Sequence, residues 1–136
     1  EAGATCLRGG HKHDGEGNFY EPTILTNVKP GMAAVDQELF GPVISIIRAK
    51  DEADAIALAN DSEFGLGGCV FTRDIARGEH IAANLIETGT CNVNCRVSSA
   101  FNVPFGGIKH SGYGRELSRE GLHEFMNVKS VNVQAV

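Results

Sequence analysis

The sequence predicts an α/β fold with a βαβαβ core and a mainly parallel sheet, and two observations carry that prediction. Between residues 43 and 94, short β-branched or apolar runs alternate with stretches whose apolar residues recur at helical spacing. Each helix-patterned stretch opens on an aspartate able to accept the free N–H groups of a first turn. Strand–helix–strand connections of this kind are right-handed, with their strands parallel.

Along the chain, the polar, glycine-rich stretch 9–18 reads as a loop, and Pro22 to Thr26 as a first strand. Val43 to Arg48 is the next. Asp51, with Asp54 three residues on, opens an alanine-rich helix that stops near Asn60. Phe64 to Gly68 turns the chain into a strand over Cys69 to Thr72. Asp74 then caps a helix presenting Ile75, Ile81, Ala82, Leu85 and Ile86, and Thr90 to Asn94 is the last strand of the core. Residues 95–115 have no clean period. Ser118 to Met126 forms a short helix presenting Leu117, Leu122 and Phe125, and the alternation over 128–134 is that of a half-buried strand.

With 136 residues the chain has one domain's worth of sequence and enough apolar content for a core. It starts at Glu1 with no basic leader and contains no long apolar run, which predicts a soluble protein without signal peptide or membrane span. A net charge of −5 with no basic block excludes nucleic acid as the expected partner, since phosphate binding needs clustered cations. The four cysteines are too sparse for a secreted disulfide scaffold and show no metal-type pairing, so they read as reduced, packed residues in a cytoplasmic protein. On an extended strand Cys91 and Cys95 would stand roughly 13 Å apart, too far for one zinc. His11 and His13 read as solvated loop residues, and no metal is assigned.

Two motifs carry more. Residues 104–116 read Pro-Phe-Gly-Gly-Ile-Lys-His-Ser-Gly-Tyr-Gly-Arg-Glu, and residues 37–43 read Gln-Glu-Leu-Phe-Gly-Pro-Val. In the first, glycines allow positive φ and close backbone approach. Together they resemble the C-terminal signature and the Glu-Glu-x-Phe-Gly-Pro segment of the aldehyde dehydrogenase superfamily. The likeness extends through Asn18 to Leu25, Ala59-Asn60-Asp61, Phe64-Gly65-Leu66, Val70 to Asp74 and Gly121-Leu122. Gln37 replaces the usual first glutamate, and Gly67-Gly68 stands where alanine or serine is common.

The resemblance implies the C-terminal part of an NAD- or NADP-dependent enzyme that oxidises a small aldehyde through a cysteine thiohemiacetal and thioester, with nucleophile and base upstream. No catalytic residue is then expected in this chain, which alone would be inactive. Residues 1–127 would belong to the catalytic domain and 128–136 to an oligomerisation strand and tail of a homodimer or homotetramer. Glu38 matches the glutamate that accepts the nicotinamide ribose hydroxyls, and Phe40 the aromatic beside that sugar. The loop leaving the fourth strand sits where open α/β sheets gather ligands. In the family it lines the substrate tunnel, which makes Ser99 the expected contact to a remote carboxylate, with Ser98, Arg96 and Phe105 near it. Ser98-Ser99 and the run Arg115 to Phe125 most resemble succinate-semialdehyde dehydrogenases. Lys109, Arg115 and Glu116 are expected to orient backbone rather than do chemistry. The competing reading is a non-enzymatic module for assembly, or a dehydrogenase for another aliphatic or aromatic aldehyde.

Overall fold

A computed structural model describes residues 3–135; Glu1, Ala2 and Val136, the outer ends of the two expected segments, lie outside the described residues. The chain forms two compact units that divide between Leu58 and Ala59.

The first unit holds a three-stranded sheet of β1 (Thr5–Arg8), β2 (Thr23–Thr26) and β3 (Val43–Ser45), in that order. β1 runs antiparallel to β2 with an irregularity between Cys6 and Arg8, and β2 pairs parallel with β3 in the register Thr23 to Val43. Thr23 is buried and pins the incoming loop: its hydroxyl accepts the Gly10 N–H at 2.8 Å and donates to the Glu21 carbonyl at 2.7 Å. Helix α1 (Ala33–Asp36) is a single turn, tied to β3 by the Ser45 hydroxyl donating to the Ala34 carbonyl at 2.7 Å. Helix α2 (Glu52–Asn60) begins as its aspartate signature requires: the Asp51 carboxylate accepts the Asp54 N–H at 2.9 Å, and Asp54 in turn accepts from Lys50.

In the second unit, β4 (Phe64–Gly65) pairs antiparallel with β7 (Ile108–Lys109), and β5 (Gly67–Val70) pairs parallel with β6 (Thr90–Val93). The crossover between β5 and β6 is α3 (Ile75–Asn84), capped by Asp74, which accepts the Arg77 N–H at 3.0 Å. A cap of this kind is worth about 1 kcal/mol. Gly78 lets α3 approach its strands: a Cβ there would lie 2.7 Å from the Thr72 methyl and 2.9 Å from Val93 Cγ1. Ile81 on the same helix is buried, whereas Ile75 at its start stays exposed. Helix α4 (Ser118–His123) opens through two residues with positive φ, its N-cap Leu117 at 62° and its first residue Ser118 at 53°.

The α/β class holds, with corrections to its elements. The three strands expected in one βαβαβ sheet are divided: β3 pairs with β2, and β5 with β6. Periodicity identifies a strand and says nothing of its neighbour, and the β-branched edge of β2 takes β3. β3 ends at Ser45 rather than Arg48, and α4 at His123 rather than Met126. The turn expected over 64–68 contains β4 and the start of β5. Residues 127–135 carry no regular structure, and Val128, Val131 and Val133 are exposed. Their alternation is a strand pattern, but a strand needs a ladder, and no described residue provides one.

Candidate functional site

Each candidate residue is placed by its own unit. In the first, Glu38 and Phe40 follow α1 in an irregular, exposed segment, with Phe40 96% exposed. Among the described residues the Glu38 carboxylate has no hydrogen bond or ion pair, so both its oxygens are available as acceptors. Gly41 and Pro42, next in the motif, line an open cleft of about 480 Å³ with Arg8, Ile24 and Ile44.

In the second unit, β6 ends at Val93, and Asn94 turns the chain at φ 56° into the expected substrate loop. The Asn92 side chain holds that loop's first turn, donating to the Arg96 carbonyl at 2.9 Å and to Cys95 Sγ at 3.5 Å. The extended spacing assumed for Cys91 and Cys95 therefore does not apply. Val97 seats over Gly67, where a Cβ would come within 2.9 Å of its Cγ1, so the unusual glycine makes room for the loop. Arg96, Ser98 and Ser99 are all exposed on this loop.

Phe105 follows that loop and lies in the signature segment. It lines a second cleft, of about 450 Å³, with Leu66, Tyr113, Arg115, Leu117 and Phe125, so the signature loop does fold around a pocket. Ser98 and Ser99 are not among that cleft's walls. Of the four signature glycines only Gly112 takes a positive φ, at 108°. Gly106 and Gly107 instead serve close approach, to the Gly114 carbonyl and to Ser111.

The charged residues of the loop do structural work, as their surroundings indicate. Arg115 donates to the carbonyls of Gly107 and Gly114, both at 2.8 Å. Glu116 pairs through its backbone with Phe105. Lys109 Nζ donates to the carbonyls of Asn60 at 2.8 Å and Ser62 at 3.1 Å and pairs with Glu87 at 2.9 Å. Asn60 completes this node, its side chain accepting the Glu87 N–H at 2.9 Å and donating to the Leu85 carbonyl at 2.7 Å. Sequence reading treats Asn60 as a helix stop and as part of the family likeness but gives its side chain no role; a polar side chain at the end of an otherwise alanine-rich helix is the available signal.

All four cysteines are free, and no described group of side chains could hold a metal. Contrary to the packed reading, Cys6, Cys69 and Cys95 are exposed and Cys91 is half-buried, because the small sheets carrying Cys6, Cys69 and Cys91 have open faces and Cys95 sits on the exposed loop after β6. Burial pushes the Cys91 thiol up, Cys69 adds to the shift and the Asn92 N–H opposes it. Such a group holds its proton and is a poor nucleophile at neutral pH. His13 pairs with Glu21 at 3.5 Å, so one of the two loop histidines has a carboxylate neighbour. Among the described residues no helix is long and apolar enough to cross a membrane.

Known proteins share this arrangement. The chain is 49% identical over 131 residues to the succinate-semialdehyde dehydrogenase [NADP(+)] of Deinococcus radiodurans, covering 96% of this chain and 27% of that protein. A solved structure described as giving insights into cofactor and substrate selection by Gox0499 superposes with a TM-score of 0.92 at 50% identity, over 98% of this chain and 29% of the other. Betaine aldehyde dehydrogenase from Staphylococcus aureus in complex with NAD+ superposes at 0.84 with 42% identity, over 90% of this chain and 25% of that one. The chain thus spans about a quarter of the length of these proteins. The profile described as "Aldehyde dehydrogenase family" matches residues 1–131, which include both motifs and every candidate residue, and the chain belongs to that family.

Proposed function

We propose that this chain forms the cofactor and substrate walls of an NAD(P)-dependent aldehyde dehydrogenase that oxidises succinate semialdehyde to the acid in the cytoplasm, as a homodimer or homotetramer. The observation that carries the reading is the 49% identity to a succinate-semialdehyde dehydrogenase, sustained over 131 residues.

The residues present suit a dinucleotide. A ribose offers vicinal hydroxyls, and Glu38 offers two unengaged carboxylate oxygens beside the uncovered ring of Phe40. The dinucleotide, when bound, supplies the hydride acceptor. Glu38 would fix the sugar's orientation, where positioning counts heavily for the rate, and Phe40 would pack on its face. Ser99, helped by Ser98 and Arg96, would donate to the carboxylate of the aldehyde, a charge-assisted contact. Phe105 would shape the apolar wall. The thiolate that attacks the aldehyde and the glutamate that activates water lie in polypeptide outside these residues.

Two results are expected. This chain alone forms no NADH or NADPH with any of a panel of aldehydes; turnover surviving replacement of all four cysteines would refute that. In the complete enzyme, Glu38→Gln slows the hydride step seen in single-turnover kinetics, and Ser99→Ala raises KM for succinate semialdehyde by roughly tenfold or more, as loss of a hydrogen bond to a charged group predicts. An equal effect of Ser99→Ala on a neutral aldehyde of similar length would remove the carboxylate contact, and with it the substrate assignment.

A further inference from the structure

The two faces of the β5–β6 ladder are covered differently. Register partners share a face, so Gly68, Cys91 and Val93 point one way and Gly67, Thr90 and Asn92 the other. Helix α3 and the turn after it take the first face: a Cβ on Gly78 would meet Val93 Cγ1 at 2.9 Å, and one on Gly68 would meet Ile86 Cγ2 at 3.3 Å. The loop leaving β6 folds back over the second. There the Asn92 side chain donates to the Arg96 carbonyl at 2.9 Å, Val97 lies on Gly67, and the Thr90 hydroxyl oxygen is closed off from solvent.

Val97 is the loop's one packed side chain. From Cys95 to Pro104 it alone is not exposed. Downstream, the Phe101 carbonyl accepts the Ser118 N–H at 3.0 Å, so Ser98 and Ser99 are held between a side-chain anchor at 97 and a backbone anchor at 101. The notch that takes Val97 exists because residue 67 has no side chain. A Cβ there would stand 2.9 Å from Val97 Cγ1, 3.1 Å from Cγ2 and 3.4 Å from Cβ, whereas carbon contacts settle at about 3.5–4.0 Å. The φ of Gly67 is not positive, so backbone freedom does not account for glycine here. β5 is paired with β6 along its length while Val97 sits on an irregular segment, so the loop yields before the ladder does. A methyl at 67 lifts Val97 by roughly 0.5–1 Å and carries the two serines with it.

We propose that Gly67 is a positioning residue for substrate selection: its missing side chain is the notch in which Val97 seats, and that seat sets where Ser99 meets a substrate carboxylate. The inference rests on the reading of Ser99 given above. It assigns selectivity to a residue that lies beneath the loop and touches no substrate.

A size exchange in the complete enzyme tests it. Gly67→Ala, Val97→Ala, the two together and Gly68→Ala are compared by kcat/KM for succinate semialdehyde and for a neutral aldehyde of similar length, and by hydrogen exchange over residues 96–100. Gly67→Ala lowers kcat/KM for the acidic aldehyde about tenfold, as loss of a charge-assisted contact predicts, and changes the neutral one less than about twofold. Exchange of the loop rises several-fold. Adding Val97→Ala removes both Cγ atoms, leaves only the 3.4 Å contact to Cβ, and restores most of the acid preference. Gly68→Ala crowds the opposite face and leaves both the preference and the loop's exchange unchanged. In a Ser99→Ala background Gly67→Ala has little further effect on preference, a coupling that plain loss of stability would not produce. The inference is overturned if Val97→Ala fails to rescue, if Gly68→Ala reproduces the effect, or if Gly67→Ala does not fold with or without Val97→Ala. Loop exchange that rises with Gly67→Ala and returns in the pair, in an enzyme whose Ser99→Ala affects both aldehydes equally, supports the seat and counts against the substrate reading instead.

Discussion

Replacing Gly89 by alanine is expected to unseat the signature loop and cost the second unit about 3 kcal/mol, the upper part of the range for overpacking. A Cβ at this position would stand 1.7 Å from the Gly106 carbonyl oxygen, 2.7 Å from its carbon and 3.0 Å from Gly107 Cα. Every one of these atoms is backbone, so no rotamer change relieves the overlap. Retreat is also blocked, because the Gly89 N–H donates to the Gly65 carbonyl at 3.0 Å and withdrawing it would leave that bond unmade. Gly114→Ala is the control, since a Cβ there meets nothing within 4 Å and its φ is not positive. Thermal denaturation of the complete enzyme, with hydrogen exchange at Ile108 and Lys109, separates the two variants. Equal effects from both would show that the contact with Gly106 does not hold the loop.

Asn60→Ala is expected to cost about 1–2 kcal/mol, because it removes the partner of the part-buried Leu85 carbonyl and leaves the exposed Glu87 N–H to water. These lie between α3 and β6, so the loss is felt where the crossover returns to the sheet. Lys109→Met should cost less than the sum of its contacts suggests, since Glu87 is 58% exposed and a solvated ion pair contributes little. The two residues meet at Glu87, whose N–H donates to the Asn60 side chain and whose carboxylate pairs with Lys109, while Lys109 also donates to the Asn60 backbone carbonyl, so the double variant should fall short of additivity by at least about 0.5 kcal/mol. A double-mutant cycle on the complete enzyme, read by denaturant midpoints, checks both numbers. Strict additivity would mean that Asn60 and Lys109 act separately.

Much of this fold is legible in the sequence, for local reasons. Asp51 and Asp74 announce helix starts through their own carboxylates, and the structure places each on the N–H three residues ahead. The strands β2 and β6, and the second half of β5, follow from short apolar or β-branched runs, whereas Gly67 and Gly68 look like a turn and enter β5 only through its pairing with β6. β1 is not legible, because Thr5–Arg8 has a polar and irregular pattern stabilised only by its pairing with β2. Nor is α1, a single turn without a side-chain cap. β7 is two residues long and exists through its partner Phe64–Gly65, which no window of sequence contains. The site divides in the same way. Motifs place Glu38, Phe40, Ser99 and Phe105 on the chain, but only the fold reveals that Phe105 belongs to a cleft without the serines, and that Lys109 is anchored at Asn60.

Asn94 meets two demands at once. Its N–H donates to the Val70 carbonyl at 2.8 Å, continuing the pairing of β6 with β5. Its side chain then accepts the Thr72 N–H at 2.8 Å and donates to the Thr72 carbonyl at 2.7 Å, while its backbone takes the left-handed conformation that asparagine tolerates best after glycine. Glycine there would keep the bend and lose both rungs; aspartate would keep the acceptor and lose the donor. The side chain thus acts as a terminal stitch that stops the ladder from unravelling into the loop beyond it. Behind such a stitch, exposed loop positions such as Ser98, Ser99 and Ala100 can change chemistry without loosening the last rung between β5 and β6.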